Sequence, residues 1–177
     1  MGQRGRASRK FQVPFRPFPD RMSSSRFARI LVAIDGSANA QDALATAIDL
    51  TSRYAAELTI LSIAPIVPVY LPSTSPYLST PVSESQVTQY QGLVEAAVKQ
   101  AQGAGLTAIT GVCREGVVVD EVLSFLDTHS TDIVVVGSRG LSATKRLLIG
   151  SISSALVAHA PCPVLVVRAR PSTKPAG

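Results

Sequence analysis

From Asp132 to Ser154 the chain reads DIVVVGSRGLSATKRLLIGSISS, and this stretch holds the residues best placed to do binding chemistry. Ile133 to Val136 is an apolar run, β-branched throughout, the pattern of a strand buried on both faces of a parallel sheet. It stops at Gly137-Ser-Arg-Gly140, a turn where two glycines can take backbone angles closed to other residues. Gly150-Ser151 then opens a segment with Ile152, Ala155, Leu156 and His159 at helical spacing. A glycine turn after a buried strand, followed by a helix start, is a place to hold an anion. Free backbone N–H groups and the positive end of the helix dipole point the same way there. The expected occupant is the phosphate of a nucleotide.

Other elements must position that turn. Arg29–Asp35 is a second continuous apolar run ended by a carboxylate, so Asp35 should stand at the carboxyl end of a buried strand. Gly36-Ser37 makes the turn into a helix carrying Ala43, Ala47, Ile48 and Leu50, capped by Ser37 or Asn39. Leu58 to Ile63 reads as the second strand. Residues 64–83 are rich in proline and serine and are expected to form a long surface loop, leaving from the same end of the sheet as Asp35. Val87, Tyr90, Val94, Ala97, Val98 and Ala101 mark an amphipathic helix, Leu106 to Cys113 a third strand at an edge, and Val118 to His129 a third helix. After the organising stretch, Val164 to Val167 is the fifth strand.

Strands alternating with helices mean right-handed crossovers and an α/β fold, a five-stranded parallel sheet covered by helices on both faces. Asp35 and Gly137 share a site only if the first and fourth strands are neighbours, which the order 3-2-1-4-5 provides. In such a sheet ligands collect at the carboxyl ends where strand order reverses.

Composition narrows the function classes. With 46% hydrophobic and 16% charged residues, the chain as a whole is no disordered segment. Residues 1–29 carry eight basic groups against Asp20 alone, a balance of +7, while the other 148 residues hold nine basic and eleven acidic groups, −2. The basic excess thus belongs to an arm, and the domain offers little to nucleic acid. We expect a flexible arm over 1–25, one domain over 26–169 and a short tail over 170–177. Met22 stands just before the first structured segment, so the arm also reads as residues upstream of the true start; other readings are an arm for anionic partners and, from its Arg- and Ser-rich composition, an organelle transit peptide. No apolar run approaches the roughly 20 residues of a spanning helix, and no secretory signal pattern opens the chain, so a soluble, cytoplasmic protein without a membrane partner is expected. Cys113 and Cys162 form no metal or disulfide pattern and should act as small hydrophobes.

Neither common phosphate fingerprint occurs; the chain has Gly137-x2-Gly140-x9-Gly150-Ser151 instead. With the opening strand ending in Asp35 and the closing Pro161-Cys-Pro-Val-Leu-Val-Val167, this resembles the universal stress proteins of the ATP-binding kind, from about Phe27 to Arg168. The resemblance implies a Rossmann-like nucleotide-binding fold with ATP and Mg²⁺ as ligands. It places Asp35 by the ribose and phosphates, directly or through the divalent ion, since a hard carboxylate suits Mg²⁺. Ala33 and Ile63 would pack on adenine, with Val136 and Gly137 completing that slot. Arg139 and Gly140 would reach the phosphates, joined by Gly150, Ser151 and the hydroxyl of Ser153. Ala33, Ser62 and Arg139 depart from the proline and two histidines frequent at these places; an arginine at 139 adds a planar donor fork for phosphate.

Lys145 and Arg146 read as a solvated face ahead of the alternative, phosphate ligands. Phosphoanhydride hydrolysis needs a positioned water and a base besides charge neutralisation. The motif supplies Asp35 and one arginine, so binding is expected, with slow hydrolysis at most. A nucleotide-consuming enzyme on the same sheet is the competing class. The fifth strand would leave an apolar edge, and pairing with its copy would cover it, so a homodimer is expected.

Overall fold

The structure, a computed structural model, describes residues 27–66, 83–140 and 149–168 in full, and the backbone of 68–71 and 75–79. The expected arm and tail, with Lys145 and Arg146, lie outside the described residues. Among the described residues seven strands and four helices follow in the order β1 (Arg29–Ile34), α1 (Ala38–Tyr54), β2 (Glu57–Pro65), β3 (Pro68–Leu71), β4 (Ser75–Ser79), α2 (Glu84–Gly103), β5 (Ile109–Gly116), α3 (Val118–Thr128), β6 (Ile133–Gly137), α4 (Ser151–His159) and β7 (Val164–Val167). Five of the strands form one parallel sheet in the order β5-β2-β1-β6-β7. This is the expected 3-2-1-4-5 arrangement of a Rossmann-like fold. Ala33 lies beside Leu61 on one side and Val136 on the other, so the ends of β1 and β6 meet.

The side-chain period of two sends alternate residues to opposite faces. Ile30, Val32, Ile133 and Val135 pack under α1 and α2 with Ala43, Leu44 and Ala97. Leu31, Leu61, Val134 and Val136 pack under α3 and α4 with Val122, Phe125 and Leu156. Ser37 caps α1, its Oγ accepting the Ala40 N–H at 3.2 Å. Ser83 does the same for α2 through the N–H of Gln86. Among the described residues no helix is long and apolar enough to cross a membrane.

Two boundaries differ from expectation. The third strand of the sheet begins at Ile109 and not at Leu106. Gly105 takes a φ of +88°, and the Leu106 N–H returns to the Ala101 carbonyl at 3.2 Å, so this residue completes the end of α2. The expected loop over 64–83 contains an antiparallel ribbon, β3 with β4, pairing Pro68 with Ser79 and Val69 with Leu78. Proline is tolerated in strands at a first position or along an unpaired edge, which is why a proline-rich stretch hides such a ribbon.

Two side chains carry testable consequences for stability. Thr51 of α1 is 1% exposed and its hydroxyl has no hydrogen-bond partner among the described residues. Thr51→Val removes that unsatisfied oxygen at nearly constant shape and should stabilise the fold by about 1 kcal/mol, read as a rise in the urea midpoint at constant slope. Asp132, just before β6, fastens the start of β1: its Oδ2 accepts the N–H groups of Ala28 (2.9 Å) and Arg29 (2.8 Å), and its Oδ1 meets the Arg29 guanidinium at 3.1 Å. The Arg29 side chain foremost, then these backbone donors, hold the Asp132 carboxyl below its ordinary value against the opposing cost of burial. Because the folded-state value is the lower one, this stabilisation is present above the unfolded carboxyl's titration near pH 4 and is lost as pH falls further. Asp132→Asn should therefore cost on the order of 1 kcal/mol at neutral pH, after allowance for solvent screening, and the gap to the parent should close below about pH 4 in denaturation curves.

Candidate functional site

A cleft of about 520 Å³ opens at the carboxyl ends of β1, β2 and β6. Here chain crossovers diverge, β2 lying on one side of β1 and β6 on the other, which is where open parallel sheets collect ligands. Nine of the ten residues expected at the site line it: Ala33, Asp35, Ile63, Val136, Gly137, Gly140, Gly150, Ser151 and Ser153. Arg139 is half-buried and does not line the cleft; its carbonyl accepts the Ser37 hydroxyl at 3.4 Å. A smaller cavity of about 270 Å³ at the opposite, amino end of the sheet, bordered by Arg29, Glu57 and His129, contains none of the ten.

The motif's glycines do not take the backbone angles reserved to glycine. The described glycines with positive φ are Gly36, Gly105 and Gly116, so Gly137, Gly140 and Gly150 are not there for unusual backbone angles. Gly137 and Gly140 are there because a side chain has no room, whereas a Cβ at Gly150 would be tight, 3.3 Å from the Ser138 carbonyl. A Cβ at Gly137 would stand 2.9 Å from the carbonyl carbon of Asn39 and 3.0 Å from the nitrogen of Ala40, so this glycine lets α1 press its first turn onto β6. A Cβ at Gly140 would stand 2.5 Å from Oδ2 of Asp35. The other oxygen of that carboxylate, Oδ1, accepts the Ser37 N–H at 3.0 Å, which ties the turn after β1 in place.

Ser138 joins the pieces, although it occupies an unspecified position of the motif. It is 2% exposed; its N–H donates to the Val167 carbonyl of β7 at 2.6 Å and its hydroxyl to Asn39 Oδ1 at 3.4 Å. Its carbonyl accepts the Gly150 N–H at 2.7 Å and the Ser153 hydroxyl at 3.1 Å. Two expected phosphate donors are thereby engaged within the protein: the Gly150 amide and the Ser153 hydroxyl hold the start of α4 against the turn. Gly150 caps α4 without a side chain, and the first intrahelical bond runs from Ser154 N–H to its carbonyl. The amides of Ser151, Ile152 and Ser153 have no hydrogen-bond acceptor among the described residues, and a first helical turn provides none of its own. The donors at the mouth thus lie one residue further along than the motif alone suggests.

The rest of the lining is apolar. Leu61, Val122 and Val136 are almost fully buried and form its floor, with Val118 and Ile152 at the side. Tyr90 of α2 also lines the cleft, a residue whose helical spacing reads as packing. Burial, then the negative charge of Asp35, raises its phenol above the ordinary value, so it stays a neutral O–H donor. Among the described residues no group of three or more His, Cys, Asp or Glu gathers to hold a metal. A divalent ion at this cleft would take Asp35 from the protein and its remaining oxygens from ligand and water, the usual arrangement for Mg²⁺. Burial pushes both half-buried thiols, Cys113 and Cys162, up.

The likeness to known proteins is consistent along the chain. Universal stress protein YxiE of Bacillus subtilis is 33% identical over 148 residues, covering 80% of this chain and 99% of that protein. Among solved structures, the universal stress protein UspA from Lactobacillus plantarum superposes with a TM-score of 0.68 at 27% identity, covering 82% of this chain and 100% of the other. A universal stress protein solved in complex with cAMP shares the fold, with a TM-score of 0.62 at 24% identity over 82% of this chain and all of that one. A model of the Universal stress protein family matches residues 26–168, a span that holds the whole sheet, all four helices and every residue of the cleft; the chain belongs to that family.

Proposed function

We propose that the cleft binds an adenine nucleotide, ATP with Mg²⁺ foremost, and that the protein is a cytoplasmic stress-response sensor or regulator that binds the nucleotide without turning it over efficiently. One observation carries this reading. A single cleft brings together an apolar floor for a base, the Asp35 carboxylate, and the open first turn of α4 facing a side-chain-free turn at Gly140. A volume near 520 Å³ suits a nucleotide-sized ligand. The cAMP complex of a protein with this fold supports a nucleotide as the ligand class. Among the described residues Asp35 is the single carboxylate of the lining and no histidine accompanies it, which favours binding over hydrolysis.

Self-association through β7 belongs to the same proposal. β6 covers one edge of this Val-Leu-Val-Val strand, and the other edge meets no strand among the described residues. A second copy across a two-fold axis would cover it. The test is to purify the protein without added nucleotide, identify what travels with it by mass spectrometry, and titrate the stripped protein with ATP by calorimetry. Absence of any adenine nucleotide, together with no heat of binding up to millimolar ATP, overturns the nucleotide reading. Light scattering on the same sample decides the dimer, and a monomer mass at micromolar concentration refutes it.

A further inference from the structure

The nucleotide reading leaves Tyr90 without a role, yet α2 is fastened so as to bring it to the cleft. Val94, 7% exposed, packs onto Gly111 of β5, where a Cβ would stand only 2.7 Å from its Cγ1. Leu93 covers the turn after β1, its two methyl groups 3.3 Å from where a Cβ of Gly36 would be. Tyr90 lies one turn before both, on the face that Leu93 presents to β1, since residues three and four apart share a helix face. Two glycine contacts therefore fix the distance from α2 to the sheet and carry the phenol over the end of β1, beside Asp35.

The topology decides which part of a nucleotide would meet it. α2 packs on β2 and β5, so Tyr90 enters from the β2 side, whereas Gly140 and the start of α4 follow β6 on the other side of β1. Asp35 stands between them. A ligand with phosphates at α4 and its base on the apolar floor must carry its sugar past Asp35, within reach of the phenol on the far flank. We infer that Tyr90 hydrogen-bonds a hydroxyl of the ribose and so makes the cleft selective for ribonucleotides over deoxyribonucleotides. Burial and the Asp35 charge keep that phenol protonated, so it donates, and a sugar hydroxyl can accept while donating in turn to the carboxylate. A site that hydrogen-bonds a substrate hydroxyl discriminates against the analogue lacking it, because the protein group is then left unpaired.

This inference rests on the nucleotide reading, and the experiment separates the two. Full-length parent and Tyr90→Phe are titrated with ATP, 2′-deoxy-ATP and 3′-deoxy-ATP, with the urea midpoint of each protein as the control for folding. The parent should bind ATP about three- to tenfold more tightly than at least one deoxy analogue, the scale of one neutral hydrogen bond. Tyr90→Phe should lose that advantage on ATP, keep its affinity for the analogue, and show an unchanged midpoint. Equal affinities of the parent for all three nucleotides, or a Tyr90→Phe loss of the same size on all three, overturns the sugar contact while the nucleotide reading stands. Failure of the parent to bind any of them overturns both.

Discussion

Gly140→Val is expected to lower the affinity for ATP by about 100-fold or more, equivalent to about 2.7 kcal/mol, in calorimetric titration of a protein whose circular dichroism and denaturation midpoint match the parent. The first carbon of the new side chain would sit 2.5 Å from Oδ2 of Asp35. The carboxylate is the end of a short side chain and gives way, so the fold survives. Its displacement, with two further methyl groups in the mouth, takes the space that phosphate needs opposite the amides of α4. Gly150→Val should act in the same direction, its Cβ tight against the Ser138 carbonyl at 3.3 Å and its two methyl groups at the mouth of the cleft. Parent-like ATP affinity in both variants would remove the proposed phosphate site.

Gly137→Val should do the opposite: its main effect falls on the fold. The atoms a Cβ would meet there are backbone, at 2.9 Å and 3.0 Å, and no rotamer change relieves them. Only a shift of α1 away from β6 makes room, which breaks the close packing of Ala40 and Ala43 against the sheet. The expected cost is about 3 kcal/mol, the upper end of what overpacking a well-filled interior incurs. Chemical denaturation reads it directly, and a change below about 1 kcal/mol would refute the packing role. Two glycines three residues apart in one motif are thus separable by what their loss damages, ligand binding at 140 and folding at 137.

The strand order could be read in the sequence because the buried runs are nearly pure Val, Ile and Leu, and because Asp35 and Gly137 make sense together only when β1 and β6 adjoin. That pairing brings Asp35 and Gly137 together; the other lining residues were implied by the resemblance that the glycine motif carries. The reasons for them were less legible. Glycine in a motif suggests an unusual backbone angle by default, whereas here the deciding quantity is distance to a neighbour far away in sequence, Asn39 for Gly137 and Asp35 for Gly140. Ser138 was invisible since a variable position of a motif carries no pattern; its four hydrogen bonds exist only once β7, α4 and α1 have converged. Tyr90 was hidden by the three- and four-residue spacing it shares with Val87 and Val94, which is the same for a residue facing the core and one facing a cleft. Arg139 carries a guanidinium suited to phosphate, at a position outside the lining.

The floor of the cleft has a thermodynamic corollary. Leu61, Val122 and Val136 belong to the cluster beneath α3 and α4, so this floor is an uncovered part of one of the two halves of the interior. An aromatic base seated there becomes a detachable piece of that half, dehydrating carbon on both surfaces as it docks. Its arrival should therefore carry the mark of partial folding, a negative change in heat capacity, and should slow amide exchange in α3 and α4 more than in α1 and α2.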